Sequence, residues 1–429
     1  MQFNPPSRLI RVAAVLSALW VASVPLAVFH PLRVPVDGLR VPLQTFLLLP
    51  LLLLCGLMAT RGGLALDAGT RRQRWVLGGL LLAMIPSALV AETAATWIAI
   101  AKMAAHFAGF LVLAALARFL RVRHLAAWYV AAATITLLAS ALWTLQQPGA
   151  VRLEAWRPHS ANQLSFVLQP ALLIALGWAL RVNRRWLLPA FGLAGLFWLG
   201  ILQTFSRGAW VSSIIGLSVL ACFTLRRATL ARWLAAAAIL AIPAILVVPR
   251  SFLAPPPLEE VQEKARKARA KAPDKPPRLR DEKREVVLER RARRSLEARK
   301  QLVESSWHSI RERPWTGWGY RQELDIELYR DPTTPHNSYL ALVIYHGIFA
   351  LALALAFLAM LTATLARAAW LSQSSTQIVA LACLASVLVR FLVADFFFAS
   401  WGWGILSACG IAAYQPLDTA PEADAGKTA

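Results

Sequence analysis

No cysteine lies in the one long polar stretch of this sequence, residues 250–335; Cys55, Cys222, Cys383 and Cys409 all fall inside apolar runs. That excludes a disulfide framework or a thiolate metal site in the polar part of the chain. Acids are scarce, 23 against 45 Lys and Arg. None of the seven His stands in a metal-ligand spacing such as HExxH. No solenoid-type repeat is present. The first apolar run lacks a small-residue cleavage motif and reads as an uncleaved first helix. Polar surface is also short: 58% of residues are hydrophobic, mean hydropathy is +0.53, and there are 17 Trp. A soluble globule of that composition would have nothing to show water, whereas a bilayer suits it. The net charge of +22 invites a nucleic-acid reading, but much of the excess sits in short loops between apolar runs, as topogenic charge does.

A membrane span needs about 20 apolar residues. Twelve runs qualify: 9–29, 41–59, 75–91, 94–117, 125–145, 162–180, 186–204, 208–225, 230–249, 337–366, 376–394 and 396–414. The expected fold is all-α, a polytopic membrane protein of about twelve helices with one large helical outer loop. With the N-terminus in the cytoplasm, the inner loops hold Arg61, Arg71, Arg72, Arg74, Arg118, Arg121, Arg123, Arg181, Arg184, Arg185, Arg226, Arg227 and Arg232. The opposite short loops hold Arg33, Arg40, Arg152, Arg157 and Arg207. Thirteen against five is the sense that the positive-inside rule requires. The organisation that follows is nine helices over 1–249, an outer loop over 250–335, three helices over 336–414 and a cytoplasmic tail over 415–429. The loop opens on Pro255-Pro256-Pro257. Its first helical stretch, about 258–272, is broken by Pro273, Pro276 and Pro277. A second stretch, from Asp281 as N-cap to about Arg313, would run roughly 50 Å. It ends in Pro314-Trp315-Thr316-Gly317-Trp318-Gly319-Tyr320.

Three places on the outer side have residues out of pattern. Arg207, in Gln203-Thr204-Phe205-Ser206-Arg207-Gly208, sits at a membrane boundary among small residues. It reads either as a snorkelling anchor or as the holder of an anionic headgroup. Arg299 shares a helical face with Ala292, Ser295, Val303, Ser306 and Ile310. It either snorkels past that packing or points into an anion cavity. The adjacent run Arg290, Arg291, Arg293 and Arg294 reads as a solvated or lipid-facing charge cluster. His336 follows Pro335 where the loop re-enters the membrane, and Asn337 is suited to cap the next helix. A His at a cavity rim fits a general base, since its pKa lies near neutrality; the alternative is an interfacial His without chemistry. Asp325, Glu327 and Asp331 read as solvated loop acids rather than metal ligands. Arg390 and Asp395, in or near a span, read as a structural pair, because unpaired charges there are costly.

In this order, Ser206-Arg207-Gly208, the Arg299 helix leading through Pro314 to Gly317-Trp318-Gly319, and the His336-Asn337 helix entry resemble the core shared by bacterial O-antigen ligases, O-antigen polymerases and O-linked protein oligosaccharyltransferases. Arg157-Pro158-His159-Ser160-Ala161-Asn162-Gln163-Leu164 is similar to an Asn-containing segment upstream in that superfamily. The resemblance covers roughly 155–350. It implies a lipopolysaccharide ligase of the inner membrane, working at the periplasmic face. Such an enzyme transfers O-antigen glycan from undecaprenyl diphosphate to a sugar of the lipid A core. By position, His336 matches the catalytic His, and Arg207 and Arg299 match the arginines assigned to the lipid diphosphate. Asn337, Asn162 and Tyr320 are possible supporting residues. The resemblance implies no cofactor and no metal. This chain accords with that in lacking paired carboxylates in its first outer loop, where only Asp37 occurs. The partners implied are the donor lipid, the lipid A-core acceptor and membrane lipid, with no nucleic acid. The Lys- and Arg-rich stretch 259–294 matches no motif.

Related activities leave different marks. A polymerase uses the same donor but usually carries two sizeable outer loops, against one here. A protein oligosaccharyltransferase is expected to be longer, with a more substantial part beyond 415. A transporter or flippase would show repeats, or broken helices and charges at the membrane midplane. Here the polar residues gather at one face.

Overall fold

The computed structural model describes residues 7–27, 33–36, 39–60, 68–147, 152–154, 161–225, 228–247, 284–320, 324, 334–394 and 397–415. Nine helices occupy the first part of the chain: α1 (Ser7–Leu26), α2 (Leu43–Thr60), α3 (Ala68–Ala91), α4 (Ala94–Leu116), α5 (Val122–Gln146), α6 (Ala161–Ala179), α7 (Arg184–Gln203), α8 (Arg207–Thr224) and α9 (Leu230–Val247). The loop contributes α10 (Arg284–Glu312). Then come α11 (Ser338–His346), α12 (Ile348–Ser372), α13 (Ser375–Phe391) and α14 (Ser400–Ala413). Among the described residues nine helices are long and apolar enough to cross a membrane: α1, α3 to α9, and α12. The chain is a multi-pass, helical membrane protein.

Three details depart from the expected pattern. One antiparallel hairpin, β1 (Arg33–Val36) with β2 (Leu39–Pro42), precedes α2, so the fold is all-α apart from this ribbon. The run read as one span over 337–366 is two helices, broken at Gly347, whose φ of 83° and ψ of 175° no helix can continue. The run is apolar throughout, so hydropathy alone does not reveal the break. The last two spans are short helices of 17 and 14 residues. The stretch 258–272 lies outside the described residues.

The bundle is held by one continuous apolar core that draws buried residues from each of its membrane helices, α9 giving only Ala236. Alpha-9 is peripheral: it packs on α7 and among its residues only Ala236 is buried. Alpha-6, α8 and α13 form the centre. Alpha-13 packs against both of the others. The seam between α6 and α8 is polar at one point, where Gln169 Nε2 donates to the Ala209 carbonyl at 2.7 Å and to Ser213 Oγ at 3.0 Å, and also bonds Ser212 Oγ. Inside an apolar bundle such side chains persist because each meets a partner. At the opposite end, arginines of the inner-loop set close helix ends. Arg232 donates to the carbonyls of Leu180 (2.7 Å) and Val182 (3.1 Å), and Arg181 donates to that of Gln373 (3.3 Å). Cations suit these sites because helix C-termini carry orphan carbonyls and negative partial charge.

Candidate functional site

The other end of the bundle gathers the start of α4, α6 and α8, the end of α3 and α13, and the loop elements α10 and α11. What brings α10 there is a backbone clasp built on three glycines. Trp318 N donates to the Ile344 carbonyl at 2.8 Å, Gly319 N to that of Tyr345 at 3.0 Å, and Ile348 N to that of Pro314 at 2.9 Å. Backbones approach this closely only where side chains are absent. A Cβ on Gly347 would lie 1.9 Å from the Trp315 carbonyl oxygen, and one on Gly317 2.5 Å from the Tyr345 carbonyl carbon. Both glycines, and Gly319, have φ between 69° and 94°, which L side chains rarely adopt. Trp318 fastens the turn back onto α10 by donating Nε1–H to the Ser309 carbonyl at 2.9 Å, with the Arg313 guanidinium 4.0 Å over its ring. Tyr320, a possible supporting residue, carries the turn onto α4: its N–H donates to Thr96 Oγ1 at 3.0 Å, and its ring packs on Tyr345 and Phe398. His346 and Ser87 of α3 share a further hydrogen bond of 2.7 Å between Nδ1 and Oγ.

Alpha-10 lies on this platform through Ala298, Leu302 and Ser306, which pack with Leu324, Ala341, Ile344 and Tyr345. The packed face shares Ser306 and Ile310 with the expected one but runs through Ala298 and Leu302 instead of Arg299 and Val303. Val303, assigned to the packing side, is 54% exposed, and Arg299 is exposed at the edge of the stripe. The i, i+4, i+8 spacing from Ala298 is as regular as that through Arg299, and the partners on α11 decide between them.

His336 precedes α11 and has a φ of 51°. Non-glycine residues rarely take that region, and those that do at a cost of order 1–3 kcal/mol cluster at functional sites. Asn337 is the N-cap of α11 as expected, its Oδ1 accepting from Tyr339 N at 2.9 Å and Leu340 N at 3.1 Å. Pro335 and this cap thus fix the backbone on either side of His336. His336 is exposed at the surface, yet the protein packed around it desolvates the imidazole. Burial, and then the positive charge of Arg299, hold its pKa below the ordinary value of 6.5.

Arg207 is the first residue of α8, after the N-cap Ser206. Phe205, just before, also has a positive φ, of 50°, so the chain turns sharply into Arg207. Arg207, His336 and Arg390 each lie within electrostatic reach of Arg299. The three site residues proposed from sequence thus come together from α8, α10 and the entry of α11.

Arg390, read from sequence as one half of a pair with Asp395, makes longer-range bonds. It donates to the Asn162 carbonyl (2.8 Å), Ser165 Oγ (3.2 Å) and Ser206 Oγ (3.2 Å). Asp395 itself lies outside the described residues. Asn162, the other supporting residue, is exposed in the first turn of α6 and takes part through its backbone carbonyl. Arg157 to Ser160, Asp325, Glu327 and Asp331 lie outside the described residues. Among the described residues no three His, Cys, Asp or Glu stand close enough to hold a metal.

The site therefore groups several guanidinium groups with one imidazole of lowered pKa. Such a site can hold an anion and accept a proton beside it. Residues 191–355 match the family model described as O-antigen ligase. That span takes in Arg207, Arg299, the glycine clasp and His336. No curated protein matches the chain.

Proposed function

We propose, from the match of residues 191–355 to the O-antigen ligase family model, that the chain is a lipopolysaccharide ligase of the bacterial inner membrane. It moves O-antigen glycan from undecaprenyl diphosphate to a sugar of the lipid A core, at the periplasmic face. The observation that carries this reading is the convergence of Arg207, Arg299 and His336 at one end of the bundle. Two lipid substrates would have to reach that end of the bundle from the membrane.

The chemistry is a single displacement. The acceptor hydroxyl oxygen bonds the anomeric carbon while His336 takes its proton. The bond from that carbon to the diphosphate oxygen breaks, and the electron pair leaves with undecaprenyl diphosphate. The anomeric centre inverts. The diphosphate is already a good leaving group, so charge stabilisation matters more than acid catalysis. Two guanidinium groups supply it through bidentate contacts. The hydroxyl is a poor nucleophile, and a positioned base is worth typically ~10²–10⁴-fold. The lowered pKa of His336 keeps the ring neutral, and so able to accept a proton, at neutral pH.

The test is transfer by purified protein with donor lipid and, in parallel, lipid A core or a glycan acceptor. Transfer to the core supports the ligase. Elongation of the glycan alone would make this chain a polymerase. Movement of lipid without transfer would make it a flippase. Chelator should leave transfer intact; loss with EDTA and recovery with Mg²⁺ or Mn²⁺ would point instead to Asp325, Glu327 and Asp331.

A further inference from the structure

Arg390 belongs to the same end of the bundle, within electrostatic reach of Arg299. It is 1% exposed, in the last turn of α13, and its planar fork spans three oxygens on two other helices. Nη1 reaches Ser206 Oγ at 3.2 Å, and Nη2 reaches the Asn162 carbonyl at 2.8 Å and Ser165 Oγ at 3.2 Å. These are not arbitrary points of the bundle. Ser206 is the N-cap of α8, whose first residue is Arg207, and Asn162 and Ser165 belong to the opening turns of α6. The space is kept for the guanidinium by Gly208: a Cβ there would lie 3.1 Å from Arg390 Nη1 and 2.6 Å from Val393 Cγ2.

A cation is a costly way to join these helices. It is removed from water, and it faces the N-termini of α6 and α8, where the helix dipoles are positive. A well-packed apolar side chain would join them with no such cost. An arginine does what an apolar residue cannot. Its rigid fork fixes the direction of three oxygens at once, and one of them belongs to the residue before Arg207. Its charge also adds to the field in which Arg299 sits.

We propose that Arg390 is the positioning residue of the Ser206-Arg207-Gly208 turn, locking the start of α8 to the start of α6 so that Arg207 is held ready for the anion. The inference rests on Arg207 being a ligand of the donor diphosphate. Arg390 does not touch the substrate; it acts through Arg207.

The experiment is a double-mutant cycle on the purified full chain in nanodiscs, with undecaprenyl diphosphate as the probe and its Kd as the readout. Arg207→Ala and Arg390→Gln should each weaken binding by roughly tenfold or more. The double variant should be no weaker than the poorer single variant, to within a factor of about two. Arg390→Lys keeps the charge but cannot span three acceptors, and should fall between wild type and Arg390→Gln. It also serves in the same cycle where Arg390→Gln does not fold. Effects of Arg207 and Arg390 that multiply would show independent contributions and overturn the inference. So would Arg390→Lys with wild-type binding. A weakened Arg207→Ala beside a normal Arg390→Gln overturns the inference alone. Normal binding by Arg207→Ala overturns the diphosphate reading itself, and the inference with it.

Discussion

If His336 is the base and Arg207 and Arg299 hold the diphosphate, as proposed, their variants should fail in different ways. His336→Ala should bind donor lipid normally and lose transfer, because removal of the acceptor proton matters only in the transition state. Arg207→Ala and Arg299→Ala should weaken donor binding as well, each losing a charge-assisted contact worth roughly 1.5–3 kcal/mol. Lys at either position should rescue only in part, since it keeps the charge and loses the fork. Near-normal transfer by folded His336→Ala would remove it from the reaction. Acidity gives a second check. The pKa of His336 is lowered, so its neutral form persists below pH 6.5, and kcat/KM should stay flat through neutrality and fall only at more acid pH. Arg299→Ala removes one of the two causes and should move that acid limb upward. A limb that stays put would detach His336 from Arg299. These three residues stood out in the sequence because each breaks a local pattern: a cation among small residues, a cation on an expected apolar stripe, a His at a helix entry. Arg390 was legible only as an oddity. Its neighbour Asp395 offered a partner five residues away, whereas Ser206 and Asn162 lie 184 and 228 positions distant, and no local pattern points to them.

At the scale of elements, caps could be read and breaks could not. Asn337 announces its helix by residue type, and the hydrogen bonds to Tyr339 and Leu340 follow. The interruption at Gly347 is imposed from elsewhere: the Pro314 carbonyl takes the Ile348 N–H, and the Trp315 carbonyl fills the space a Cβ would need. The same chain segment thus ends α10 and divides α11 from α12. That coupling makes the clasp the mechanical link between Arg299 on α10 and His336 at the head of α11. Gly347→Ala should break it. The backbone at φ 83° and ψ 175° is nearly glycine-only, a strain of roughly 1–3 kcal/mol before any clash. The expected result is a lower thermal midpoint together with loss of transfer, measured against Gly192→Ala, whose Cβ meets nothing within 4 Å. A Gly347→Ala protein as stable and active as wild type would show that the clasp does not set the site.

For the whole molecule, the twelve apolar runs were legible because hydrocarbon thickness sets helix length, and each of them is helical in the fold. The side on which the site lies is a separate matter, and it rests on charge. Arg207, His336 and Arg390 share one end of the bundle with the clasp, while Arg181 and Arg232, from the loops richer in arginine, close helices at the other end. By the positive-inside rule we propose that the arginine-rich end faces the cytoplasm and the Arg207, Arg299 and His336 end faces outside. A ligase requires that sense, because the lipid A core it would modify is met at the periplasmic face. On that orientation residues 250–335 are expected in the periplasm. A single Cys introduced at Lys271 should therefore react with an impermeant thiol reagent in intact cells whose outer membrane has been permeabilised. The native Cys222, which is exposed, is replaced by Ser in the same background to keep the signal specific. Labelling that appears only after the inner membrane is lysed would invert the bundle. It would put Arg207, Arg299 and His336 in the cytoplasm, out of reach of a periplasmic acceptor, and the ligase reading would fall with the topology.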